Sequence, residues 1–284
     1  MRLLPLGTLF CLSSTILALV PAASAVADGL VYRLPPDGAF AEFQGEVETE
    51  LEFPPEVERL LTPEARAKLG DKKSKVRVTV AVSSVGRVRR AGQACRWIEL
   101  KWTTEDVKSG VRNENVLKVL LPARYLRRGQ DPLDHAALTF FNPKDVDRDD
   151  FEPEPGFNRI QYELDRFRPV FPEPLRKVAT QPKRTVRSPA GTFKDCEVIT
   201  GVTSYDGPLL EEGRMEFQSD WEIVLHEDAP FGVVEMRCRS AGAEIGSDDE
   251  PAVGYKTTGT VTLTKVGTGA VSSLAVPQAS GDDE

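Results

Sequence analysis

The stretch Arg214-Met215-Glu216-Phe217-Gln218-Ser219-Asp220-Trp221-Glu222-Ile223-Val224-Leu225-His226 alternates without interruption. Met215, Phe217, Ser219, Trp221, Ile223 and Leu225 fall on one side; Arg214, Glu216, Gln218, Asp220, Glu222, Val224 and His226 fall on the other. A period of two is the period of a β-strand, and an apolar side backed by a charged one marks a strand buried on a single face, as antiparallel sheets allow. Working outward, Lys75–Ser84 repeats the pattern with Val76, Val78, Val80 and Val82 on one side. Further strands are expected around Ala39–Phe43 and Val47–Leu51, and over Arg87–Arg90, Ala94–Glu105, Val116–Leu121, Arg184–Val202, Phe231–Arg239 and Tyr255–Val266.

Two or three helical insertions interrupt this series. Glu56–Leu69 spaces Val57, Leu60, Leu61, Ala65 and Leu69 near the helical period and stops at Gly70, with Pro63 opening a second turn. Asp131-Pro132 is a cap followed by a first-turn proline and opens a short helix to about Phe141. Ile160–Phe167 is the third. The fold class is therefore mainly β (α+β): a curved antiparallel sheet or half-barrel with two or three short helices, in which the sheet either curls round the helices or closes into a barrel. Val88-Arg89-Arg90-Ala91-Gly92 running to Cys95 echoes Val186-Arg187-Ser188-Pro189-Ala190-Gly191 running to Cys196. Residues 26–266 read as one domain, either undivided or built of two pseudo-repeated halves split near 142–183. Gly267–Glu284 reads as a disordered acidic tail.

Residues 1–25 have the form of a cleaved signal peptide. Leu3–Val20 is uncharged and apolar, Pro21 ends it, and Ala23-Ser24-Ala25 offers a small-x-small cleavage site, with Ala25-Val26-Ala27 as the alternative. Phe10 before Cys11 does not suit a lipidation signal. A periplasmic or secreted location and no stable membrane insertion after cleavage are expected. The 284 residues carry 36 basic and 44 acidic side chains, a net charge of −8, one unit more negative without Arg2. An acidic exported domain has no electrostatic case for nucleic acid.

Cys95, Cys196 and Cys238 follow the leader. In a simple meander whose turns centre on Asp206-Gly207-Pro208 and Asp228-Ala229, Cys196 and Cys238 flank Ser219 from two strands. That separation, about 9.5 Å, exceeds the reach of a disulfide. Cys95–Cys196 is then the expected bridge, against three unpaired buried thiols. His135 and His226 are the only histidines, and neither sits in a metal-ligand pair. No nucleophile elbow, phosphate loop or C-x-x-C is present. Asp145, Asp147 and Asp149 begin like a calcium loop, but Asp150 stands where glycine is required and Gly156 where the bidentate glutamate belongs. No catalytic residue, metal site or cofactor is expected, and the chain reads as no enzyme.

Tyr32-Arg33-Leu34-Pro35-Pro36-Asp37-Gly38-Ala39, Gly92-Gln93-Ala94-Cys95-Arg96-Trp97-Ile98-Glu99-Leu100-Lys101 and Ala229-Pro230-Phe231-Gly232-Val233-Val234 resemble segments of uncharacterised exported proteins of planctomycete-type bacteria. Pro189-Ala190-Gly191-Thr192-Phe193, with the later Pro-Phe-Gly-Val-Val strand start, is similar to the LolA-like class of lipoprotein-carrier envelope proteins. That resemblance implies a curved antiparallel sheet wrapped round helices and able to shelter a lipid or acyl chain. The leading expectation is a non-enzymatic envelope domain that binds an apolar or lipid-like ligand, or another envelope protein, with Met215, Phe217, Trp221, Ile223 and Leu225 as the apolar lining. A structural or protein-interaction module with a filled core is the alternative, and an undetected hydrolase the third reading.

Overall fold

The computed structural model describes residues 31–60, 72–90, 92–123, 138–141, 175–208, 214–245 and 251–274. The strands are β1 (Phe40–Glu52), β2 (Lys73–Arg90), β3 (Gln93–Asp106), β4 (Arg112–Pro122), β5 (Leu138–Phe141), β6 (Arg176–Ser188), β7 (Gly191–Pro208), β8 (Arg214–Leu225), β9 (Val233–Ile245) and β10 (Pro251–Gly267), with one helix, α1 (Pro55–Leu60), among the described residues. They form one antiparallel sheet in the order β5-β4-β3-β2-β1-β10-β9-β8-β7-β6. Two five-stranded meanders thus lie side by side, joined along their first and last strands, β1 and β10. The sheet is open, because β5 and β6 are its two edges.

The expected helix reaching Phe141 is corrected in part: Leu138–Phe141 is strand β5, paired to Leu117–Leu120 of β4. A cap-and-proline start favours a helix locally, but the open edge of an apolar strand recruited these residues. The start of that helix, Ile160–Phe167 and residues 61–70 lie outside the described residues, as do residues 1–30. Arg87–Arg90 is not a separate strand. It continues β2 through a register shift at Ser84/Gly86, where Gly86 takes a φ of 155°. The two echoing hairpins occupy different places in one continuous sheet. β2–β3 lies inside the first meander, whereas β6–β7 is the outer edge of the second.

Alternation dictates what each face carries. The face bearing Trp221 also bears Ile199, Ile223, Met236, Val261, Leu263, Phe43, Val80, Leu100 and Leu117, which belong to one buried cluster. The opposite face of β1 and its neighbours is a charge ladder. Lys75 pairs with Glu46 at 2.6 Å and Glu48 at 3.1 Å, Lys73 with Glu50 at 3.0 Å and Arg77 with Glu105 at 2.8 Å. Exposed pairs of this kind contribute little stability each, but a one-residue slip would set the whole row against the core, so they help fix register.

Strand β6 and one end of the sheet depart from a simple two-faced arrangement. Edge strand β6 shows three register shifts against β7, contains Pro182 and places Lys177 at a φ of 52°. These are devices that blunt an edge against further pairing. β6 also curls back towards β10, so that Arg184 meets Glu222 of β8 at 2.9 Å and also Glu235 of β9. At the end of the sheet holding the β2–β3 and β6–β7 turns, here the upper end, both faces are buried. Val198 and Val224, opposite each other on the side away from Ile223, are 2 % and 0 % exposed.

Candidate functional site

The expected apolar lining lies on one face, as its alternation requires, but it does not surround a single cavity. Trp221, Ile223 and Leu225 belong to the main core. Met215 and Phe217 form a separate lower cluster with Tyr255, against which Leu51 packs. Between them runs a row of hydroxyl side chains in strict cross-strand register: Thr203, Ser219, Ser240, Thr257 and Thr49, on β7, β8, β9, β10 and β1. They satisfy one another. Ser219 and Ser240 Oγ atoms are 2.7 Å apart, Thr49 and Thr257 Oγ1 atoms 3.1 Å, and Trp221 Nε1 donates to Thr203 Oγ1 at 3.2 Å. In the lower cluster the Tyr255 hydroxyl is buried with no hydrogen-bond partner among the described residues. Burial pushes its pKa far above the ordinary tyrosine range.

The cysteine expectations need correcting. No bridge joins Cys95 and Cys196; both are buried free thiols, and Cys238 is free as well. Cys95 is on β3 and Cys196 on β7, with β2, β1, β10, β9 and β8 between them. The assumed meander register was also wrong. Trp221, not Ser219, faces Cys238, and Glu197 faces Leu225, so Cys196 lies beyond the end of β8. The misjudged turn was Asp206-Gly207-Pro208, which is still paired strand opposite Arg214–Glu216. Gly207 is small because the Tyr205 ring folds over it; a Cβ there would lie 2.6 Å from the Tyr205 hydroxyl. Burial of its sulfur beside Ser240 pushes the Cys238 thiol up to about 12, and burial raises Cys196 too. Neither is poised as a nucleophile.

His226 stacks edge-on to Phe193 at 5.3 Å and accepts the Asp228 N–H at Nδ1, 3.1 Å away. That is a turn-fixing role. His135 and the acidic run 145–154 lie outside the described residues. Among the described residues no group of three or more His, Cys, Asp or Glu side chains could hold a metal ion.

Two hollows remain. The first, about 420 Å³, lies between the β6 bulge and the charged face of β7–β9, where Lys177, Asp220, Glu222, Arg237 and Arg239 bring both signs of charge. Two of its ions are held in pairs: Arg237 contacts Glu235 at 2.9 Å, and Arg184 contacts Glu222 at 2.9 Å. The second, about 540 Å³, is an open apolar groove at the upper end, lined by Leu34, Pro35, Pro36, Pro230 and Val266 among others. The segments Tyr32–Ala39 and Ala229–Val234 build it. Tyr32 N–H donates to Phe231 O at 2.9 Å, and the Arg33 guanidinium donates to Ala229 O at 2.7 and 3.2 Å. Gly38 N–H then donates to Ser84 O at 2.7 Å. Asp37 pairs with Arg87 at 3.0 Å and with Arg96, whose NH1 also donates to Ser84 Oγ at 3.3 Å. Gly232 takes a φ of 86°, and a Cβ on it would lie 3.0 Å from Tyr32 Cβ, so glycine lets the segment approach.

The tail is also corrected. Residues 268–274 are fixed across β1–β4 on the charged face. Ala270 N–H donates to Gly38 O at 2.9 Å, and Glu99 and Lys118 hold Ser272–Leu274. Residues 275–284 lie outside the described residues. Glu99 was not anticipated as a site residue. Its signal was a glutamate between Ile98 and Leu100 in a strand buried on both sides, directly opposite Lys118 in another such strand.

No family model and no curated protein matches the chain. Among solved structures, it is similar to a candidate lipoprotein from Parabacteroides distasonis (9 % identity, TM-score 0.33, covering 84 % of this chain and 98 % of that one). It is also similar to a candidate exported protein with a YmcC-like fold from Bacteroides fragilis (9 % identity, TM-score 0.29, covering 84 % and 99 %). At these scores the likenesses carry no argument about what this chain does.

Proposed function

We propose that the protein is an exported, non-enzymatic envelope protein that shelters an apolar, lipid-like molecule in the groove between its N-terminal segment and the end of β10. The observation that carries this reading is the groove itself. Its volume, about 540 Å³, falls within the range of small-molecule sites, and its walls are proline and aliphatic side chains on backbone that is hydrogen-bonded in place. The signal-peptide form of residues 1–25 and the resemblance to the LolA-like class support the same reading. Met215, Phe217, Trp221, Ile223 and Leu225 act as packing beneath the site rather than as its lining.

A fluorescent fatty-acid probe, 11-(dansylamino)undecanoic acid, tests it. Saturable binding that falls at least about tenfold in Val266→Asp and Leu34→Asp, and is unchanged in Asp220→Asn, is expected, since burying a charge in an apolar site is strongly unfavourable. Absence of saturable binding to the wild-type protein would overturn it. The burial of Trp221 at 3 % and Ile223 at 0 % favours the second reading, a filled-core interaction module, and that null result would leave it standing.

A further inference from the structure

We infer that Glu99 and Lys118 form a recognition site for a bent polypeptide segment, filled in cis by residues 272–274 of the same chain. The carboxylate of Glu99 accepts Ser272 Oγ at 2.6 Å, Ser273 Oγ at 2.6 Å, the Ser273 N–H at 3.0 Å on both oxygens and the Leu274 N–H at 3.3 Å. The ammonium of Lys118 donates to Ser272 Oγ at 2.6 Å and to Leu274 O at 3.0 Å, and lies 5.5 Å from the Trp97 ring centroid. Carboxylate and ammonium are direct cross-strand neighbours on β3 and β4. Glu99 is 7 % and Lys118 5 % exposed, and the apolar side chains beside them, Val116 and Leu120, are 6 % and 1 % exposed.

Two features distinguish this from ordinary surface packing. A buried carboxylate and ammonium are costly unless their hydrogen-bonding capacity is met, and here it is met largely by the backbone and hydroxyls of a segment with no sheet pairing beyond Gly267. The groups recognised are two consecutive N–H donors, a C=O acceptor and two hydroxyls, and two consecutive N–H groups converge on one carboxylate only from a bent backbone, so the site reads a bent Ser-Ser-Leu segment rather than a bulky side chain. The segment enters through Gly267-Thr268-Gly269, with Gly269 at a φ of 87°, a bend only glycine takes readily. Gly267 and Thr268 also wall the apolar groove, so occupancy of the clamp fixes that wall.

Hydrogen exchange on the full chain gives the first readout. The Ser273 and Leu274 amides are expected to exchange at least about 30-fold more slowly than in a free peptide of residues 268–284, from hydrogen bonds to a charged acceptor. That protection is expected to vanish in Glu99→Gln while the β3 amides stay protected. The second readout empties the site without touching Glu99. Ser273→Pro removes one recognised N–H, and the labelled 268–284 peptide is then expected to bind the full-length variant saturably, and not to bind Ser273→Pro/Glu99→Gln. Free-peptide exchange rates in the wild type, or no saturable binding to Ser273→Pro with its circular dichroism intact, overturns the inference. Neither readout depends on an apolar ligand, so failure of the groove reading would not be mistaken for failure of this one.

Discussion

Replacing Tyr255 by Phe should stabilise the protein. Tyr255 is 8 % exposed, and its hydroxyl is buried with no hydrogen-bond partner among the described residues. It sits above Gly242, where a Cβ would lie 2.8 Å from it. Nothing obstructs the ring that remains: Met215, Phe217 and Leu51 pack the same cluster. A buried hydroxyl without a partner costs roughly 1–3 kcal/mol, and Phe keeps the shape, so a gain of about 1–2 kcal/mol is expected. For a domain of this size that is a rise in Tm of about 3–6 °C. With a urea m-value of about 3 kcal/mol/M it moves the midpoint up by about 0.5 M, m itself unchanged. Equilibrium urea unfolding followed by tryptophan fluorescence measures both. A loss of 1 kcal/mol or more would show that the hydroxyl has a partner in solution and would refute the reasoning.

Gly45→Ala should be the most damaging single change in the seam between the two meanders. The new Cβ would lie 1.7 Å from Thr260 O and 2.9 Å from Val261 Cα, both backbone of β10, so a loss above about 3 kcal/mol or failure to fold is expected; unfolding within 1 kcal/mol of wild type would contradict the β1–β10 register. Thiol counts on denatured protein expressed without residues 1–25 should be the same, three, with and without reductant, and a lower count without reductant would reveal a bridge. The clamp should also be acid-sensitive. Burial pushes the Glu99 carboxyl up, but the hydrogen bonds from Ser272, Ser273 and Leu274 outweigh it and hold it below the ordinary value of 4.5. A depressed carboxyl contributes stability that is present above its unfolded pKa and lost as pH falls through its folded one. Lys118, lowered by burial and partly restored by Glu99, is the cation facing it. The Ser273 amide resonance should therefore titrate with a midpoint below the ordinary carboxyl value of 4.5; a midpoint above that value would contradict the assigned hydrogen bonds.

Strand content was legible because alternation in β2 and β8 is a local property. The pairing order was not, since nothing local tells β1 that its second neighbour is β10, more than 200 residues on. Phe43, Gly45 and Val47 read as an ordinary strand face, and only the partner strand makes Gly45 obligatory. Turn chemistry misled once: Asp206-Gly207-Pro208 looks like a turn and is paired strand, and the predicted helix after Asp131-Pro132 does not reach Phe141, because Leu138–Phe141 is β5. The misread turn displaced Cys196 by about seven residues relative to its true neighbours, while the mistaken bridge came from the pairing order, which sets five strands between Cys95 and Cys196. The alternation of β8 correctly placed Met215, Phe217, Trp221, Ile223 and Leu225 on one face. A face is not a cavity, however, and the hydroxyl row that splits this one depends on five strands being in register. The groove was invisible as a site because its walls come from both ends of the chain and the β8–β9 turn, although two of the segments that build it had already stood out by resemblance.

Native mass spectrometry of the protein released gently from a bacterial envelope tests the central claim most directly. A discrete apolar adduct on the wild-type chain, absent from Val266→Asp purified in parallel, is the predicted result. Wild-type protein that flies at its bare polypeptide mass, while carrying no adduct after incubation with an excess of long-chain fatty acid, would contradict the proposed carriage of an apolar ligand.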